Sequence, residues 1–209
     1  MAAKGKSRRA AKESPDANEL LVMELQQIHN AETQLARALP RLTRAVQSQA
    51  LQQLIEQRQE EGDRILKELE AAFDELEESP GRRRNTAAEG LINDTREHVQ
   101  EIEAGPALDA VLIAGIQKTE HYCIAAWGTA RSLAESLEAK TAAKAMERAL
   151  KEGKGYDERL TELAERELTP ALVEAGAEDE SEEDDEGESA PTGRRSGRRN
   201  GGTERRTQS

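Results

Sequence analysis

The stretch NELLVMELQQIHNAETQLARALPRLTRAVQ, residues 18–47, decides the fold. Its apolar residues Leu21, Leu25, Ile28, Leu35, Leu39, Leu42 and Val46 recur in steps of four, three, seven, four, three and four. That is the period of a helix with one buried face and a single position missing from its stripe. The missing position is Glu32, four residues after Ile28 and three before Leu35, so it points where the leucines point. Asn18 is a suitable N-cap. Pro40 lies inside the stripe, and because the stripe resumes beyond it the proline predicts a kink, not an end.

The rest of the middle reads the same way. A second helix is expected over 48–78, with Leu51, Leu54, Ile65, Leu69, Phe73 and Leu76 inward, stopped by Ser79-Pro80-Gly81. A shorter one fits 86–103, closed by Gly105-Pro106. A third long helix covers 108–138 and a fourth 141–168, before Pro170. The fold class is all-α: a four-helix bundle with an additional short helix between the second and third long helices.

Composition agrees and excludes other classes. Of 209 residues, 2% are aromatic and 34% charged, with a formal net charge of -12. So few aromatic residues argue against a β-sandwich or barrel. One cysteine, Cys123, rules out an intrachain disulfide framework. No stretch approaches a membrane span. Met1 to Lys12 is basic with no apolar run behind it, so a cytoplasmic protein is expected, with no membrane partner. Both ends read as tails that cannot bury enough surface to offset chain entropy. These are 1–17, basic, and 176–209, acidic over 178–188 and then arginine-rich over 194–206; the bundle is 18–175. Contact of the basic tails with nucleic acid is one expectation. Against it stand the acidic body and the acidic block 178–188, which can screen the arginines.

The chemistry lies in the gaps of the stripes. Glu32 fills the gap in the first helix, Arg58 and Glu61 in the second, Glu120 and Cys123 in the third, Glu152 and Tyr156 in the fourth. A single seam glutamate usually sits at the stripe's edge in water or pairs with an arginine. Four at one level would cost several kcal/mol per ion unless something positive lies between them. Two divalent ions would supply it, in the carboxylate arrangement of di-iron and di-manganese bundles. His29 shares the face of Glu32, whereas His121 follows Glu120 directly and points about 100° away, as a wall or outer-shell group. His98, on the short helix, reads as solvent-facing.

Four runs resemble the YciE/YciF ferritin-like family. They are Ala31-Glu32-x-Gln34-Leu35-x-x-Ala38-Leu39-Pro40, Glu89-Gly90-Leu91-Ile92, the long run from Leu112 through Glu120-His121-Tyr122 to Gly128-Thr129, and Asp157-x-x-Leu160-Thr161-x-Leu163-Ala164. The resemblance covers roughly 18–168. It implies a ferritin-like bundle, usually a homodimer, tied to stress responses, with candidate ferroxidase activity on two iron ions per chain, or manganese instead. It places Glu32, Glu61, Glu120 and Glu152 as metal ligands, and Asp157 and His121 also match. Four positions depart from the family pattern. Cys123 stands for a glutamate, Gly153 for the second of two adjacent glutamates, Arg58 for a histidine, and His29 for a tyrosine.

Two readings follow. In the first, His29 and Cys123 replace the lost ligands, Tyr156 lines the pocket or passes electrons, and the di-metal site oxidises Fe(II). In the second, Arg58 neutralises the seam glutamates and the chain is a metal-free helical stress-response scaffold acting through dimerisation or a protein partner. Gly153 and Gly155 are expected to loosen the helix beside Glu152.

Overall fold

The computed structural model describes residues 14–177. Expectations for 1–13 and 178–209 lie outside the described residues.

Helix α1 (Ala17–Ala45) is capped by Asp16, two residues before the Asn18 cap expected from sequence, because Asp16 and Glu19 form a reciprocal capping box. Asp16 Oδ1 accepts from the Glu19 amide at 2.9 Å and Glu19 Oε2 accepts from the Asp16 amide at 3.1 Å. The helix runs through Pro40. Ser48 caps α2 (Gln49–Glu75), leaving only Val46 to Ser48 as the turn between the two helices. A turn that short returns α2 antiparallel to α1. Asp109 secures the turn from another helix: its Oδ1 accepts from the Gln47 amide at 2.9 Å and its Oδ2 from the Ser48 amide at 2.7 Å.

Helix α2 stops short of Ser79-Pro80-Gly81. Glu77 takes a left-handed conformation (φ 54°) and the Glu78 amide bonds back to the Phe73 carbonyl at 3.0 Å. Glu138 (φ 57°) ends α4 (Pro106–Ser136) in the same way, with the Ala139 amide on the Ala134 carbonyl at 2.9 Å. These are six-to-one helix stops on residues that carry a side chain. Between them lies α3 (Thr86–Glu101), capped by Asn85, whose Oδ1 accepts from the Ala88 amide at 3.0 Å. The same Asn85 is buried and ties this entry to α1, through its amide to Asn30 Oδ1 (2.8 Å) and its Nδ2 to the Gln27 carbonyl (3.0 Å).

Helix α5 (Lys140–Leu163) does not end before Pro170, as the sequence suggested. It widens into a π turn over Ala164–Leu168, and helical backbone continues through 173. The Thr169 amide reaches back five residues to Ala164. A proline cannot donate to the fourth carbonyl before it and its ring crowds that turn, so a wider turn ahead of it lets the helix pass.

Helices α1, α2, α4 and α5 form the bundle, α1 against α2 and α4, and α5 against α2 and α4, while α3 lies across α1 and α4. There is no strand among the described residues. The core is aliphatic, with Leu21, Leu25, Leu51, Ile55, Leu69, Leu112 and Met146 sealed from solvent, and three large rings, Phe73, Trp127 and Tyr156. In α2 the inward residue is Ile55, with Leu54 at the edge.

Candidate functional site

The inward faces of α1, α2 and α4 carry charge to the middle of this core. The α2 stripe of Leu51, Ile55, Arg58, Gly62, Ile65 and Leu69 keeps helical period, so Arg58 occupies an inward slot. Glu32 on α1 and Glu120 on α4 face it. Arg58 Nη1 donates to Glu32 Oε2 at 3.1 Å and Nη2 to Glu32 Oε1 at 3.0 Å, while Nε donates to Glu120 Oε2 at 2.7 Å. The three residues are 1%, 1% and 2% exposed. The guanidinium also lies over the Trp127 ring, 5.5 Å from its centroid.

One cation thus serves two buried carboxylates, and the titrations follow. Burial works against the Arg58 charge, but Glu32 and Glu120 outweigh it and drive its pKa well up. Burial pushes Glu120 above its ordinary range; Arg58 opposes this, and Glu32 and Glu61 add to it. Burial, and then Glu32, push the Cys123 thiol up, so it stays protonated and inert. Burial and the Glu120 charge push Tyr156 up as well.

None of Glu61, Glu152, His29, His121 and Asp157 hydrogen-bonds to Arg58. Glu61 is 9% exposed and accepts from Gln57 at 2.9 Å. Glu152 is only part-buried and is held by Arg64 and by Arg148 Nε. His29 packs edge to face on Phe73, with ring centroids 6.2 Å apart. Burial lowers its pKa, against a raising effect from Glu70. His121 and Asp157 meet each other at 3.3 Å, with 66% of the histidine side chain exposed. His98 is part-buried in the last turn of α3, not freely solvent-facing.

The donor set does not fit the two-metal arrangement. Both Glu32 oxygens and one Glu120 oxygen are turned to a guanidinium that fills the space between them, and Glu152 faces two other arginines. Among the described residues no three of His, Cys, Asp and Glu gather closely enough to hold a metal ion.

Gly153 also reads differently in three dimensions. It does not loosen α5, which is continuous there. A Cβ at this position would strike the Trp127 ring and lie 2.7 Å from Glu120 Oε1. The glycine makes room for the ring that lies beneath the Arg58 guanidinium carbon. Gly62 does the same on the other side, where a Cβ would lie 3.2 Å from both Arg58 Nη1 and Glu32 Oε2. Sequence reasoning missed Trp127 and Gly62 as parts of the site; the signal was their place on the inward stripes beside charged residues.

Residues 16–173 match a family described as a domain of unknown function, DUF892. The chain belongs to the DUF892 family. It is 38% identical over 141 residues to protein YciF of Escherichia coli strain K12, covering 67% of this chain and 85% of YciF. Among solved structures, the DUF892 chain is similar to the crystal structure of the E. coli stress protein YciF, with a TM-score of 0.69 and 34% identity, covering 72% of this chain and 96% of that one. It is also similar to YcfI of Rhodopseudomonas palustris, a candidate structural protein, with a TM-score of 0.67 and 30% identity over 70% of this chain and 94% of that one. This DUF892 chain therefore has the all-α, ferritin-like bundle fold expected from its sequence. No helix among the described residues is long and apolar enough to cross a membrane.

Proposed function

We propose that this chain is a metal-independent helical scaffold of the DUF892 family, working through its surface in a stress or structural role. The names of its relatives support that role: YciF is a stress protein and YcfI a candidate structural protein. One observation carries the metal-independent part. Arg58 supplies from within the chain the positive charge that a bundle with buried carboxylates requires. A second copy of the chain is the partner proposed for the surface, and sedimentation at several concentrations reads it directly.

The expected di-iron or di-manganese ferroxidase is the competing reading, and one experiment separates the two. Protein purified without chelator is reloaded anaerobically with Fe(II) or Mn(II), desalted and assayed for metal. The scaffold reading expects metal content near zero and an unchanged melting temperature. About two ions per chain, with a raised melting temperature, would overturn it and restore the carboxylate site.

A further inference from the structure

Five residues from all four bundle helices converge on one head group. Glu32 comes from α1, Gly62 from α2, Glu120 and Trp127 from α4, and Gly153 from α5. Each does something specific to a planar cation. Glu32 presents two oxygens to the two outer nitrogens in a parallel fork, the geometry that distinguishes a guanidinium from an ammonium. Glu120 takes the third edge through Oε2. The Trp127 ring lies beneath the guanidinium carbon, 5.5 Å from the ring centroid, at cation–π range. The two glycines leave no side chain where the nitrogens and the ring must sit. Arg58 and Gly153, which look in the sequence like two unrelated losses, belong to one arrangement.

We propose that Glu32, Glu120 and Trp127 form a cage cut for a guanidinium-type cation, and that the cage accepts a free guanidinium ion once the Arg58 side chain is cut back. This rests on the metal-independent reading of the same residues and extends it, by assigning the seam a ligand class: a planar, singly charged, fork-donating cation. Arg58 is then the cage's tethered occupant. Removing its side chain beyond Cβ leaves the two carboxylates and the ring without their partner, and an ion of the same shape satisfies the same hydrogen bonds.

The test is a thermal melt of the full chain with Arg58→Ala, titrated with guanidinium chloride far below denaturing concentrations, against equal sodium chloride. The variant is expected to melt lower than the parent and to recover on titration. The expected recovery is ~3–5 °C for each tenfold excess over the dissociation constant. The parent, whose cage is filled, shows no rise, and neither does Arg58→Ala/Glu32→Gln/Glu120→Gln, which has no carboxylates to offer. Should Arg58→Ala not fold, Arg58→Ala/Glu120→Gln removes one unpaired charge, keeps the Glu32 fork and is titrated instead. Absence of a guanidinium-specific rise in whichever of these folds overturns the proposal. So does an equal rise with sodium chloride, or a rise with Mn(II) but none with guanidinium. Metal uptake by the parent bears on the scaffold reading alone, and the response of the Arg58 variants on the cage alone.

Discussion

Arg58 grips Glu32 by both carboxylate oxygens, at 3.0 and 3.1 Å, with 2% or less of either side chain exposed. This pair crosses between α1 and α2 in the centre of the bundle, where neither charge has water to fall back on. Its strength is best judged by what remains when one member is removed.

Arg58→Met keeps the volume and removes the charge. It strands two carboxylates in an apolar interior and is expected to cost about 3–5 kcal/mol. Glu32→Gln and Glu120→Gln added to that background remove both carboxylates that Arg58 held and should return most of the loss. Urea unfolding of the three proteins decides it. A small loss in Arg58→Met would mean the charges are solvated after all.

Gly153→Ala should destabilise although alanine favours helix by about 1 kcal/mol. The added methyl strikes Trp127 and crowds Glu120, and overpacking of this kind costs ~1–3 kcal/mol. Gly155→Ala is the internal control. Its Cβ would meet nothing nearer than Arg159 Nη1 at 3.6 Å, so the helix gain of up to ~1 kcal/mol should appear in full. Opposite signs two residues apart are the expected result.

How much of this was legible in the sequence depends on what period alone can say. The spacing of Leu21, Leu25, Ile28 and Leu35 places Glu32 inward, and it is inward. Period could not decide between Arg58 and Glu61, which share one gap, because three residues on a helix turn through most of a circle. Nor could it see across helices. The clearance at Gly153 exists because Trp127 arrives from α4, and the carboxylate of Glu152 turns away because Arg64 and Arg148 stand nearby. Pro170 departs from expectation for a local reason: a proline ends a regular helix, and here the turn ahead of it is already widened.

Glu120 should leave a signature in the pH dependence of stability. Burial raises its folded pKa above the ordinary carboxylate range, Arg58 opposing. The folded state therefore holds this proton more tightly than the unfolded chain. That contribution is fully present below the ordinary glutamate pKa and is lost as pH rises through the raised folded value. Glu120→Gln, which cannot titrate, should flatten the fall in stability over that interval. Denaturant midpoints at a series of pH values would show it, and an unchanged slope would count against a raised pKa.

Glu138 stops α4 with a positive φ of 57°, a conformation in which its Cβ is crowded. Glu138→Gly should be stabilising by ~0.5–1 kcal/mol, less the entropy glycine adds to the unfolded chain. Calorimetric melting of the variant reads the sign directly.

Asp109→Ala removes the acceptor for the Gln47 and Ser48 amides and should cost about 1–3 kcal/mol, seen as a lowered unfolding midpoint. Hydrogen exchange at those two amides should quicken in step.

That clip has a consequence for how the chain divides. The α1–α2 turn draws its two hydrogen bonds from a residue 61 and 62 positions further on, across the whole of α2 and α3. Cut between its halves, the protein would yield a leading hairpin whose turn has lost its acceptor and a trailing hairpin with a buried carboxylate and nothing to receive. The two halves are thus mutual templates: each completes a group that the other leaves unpaired.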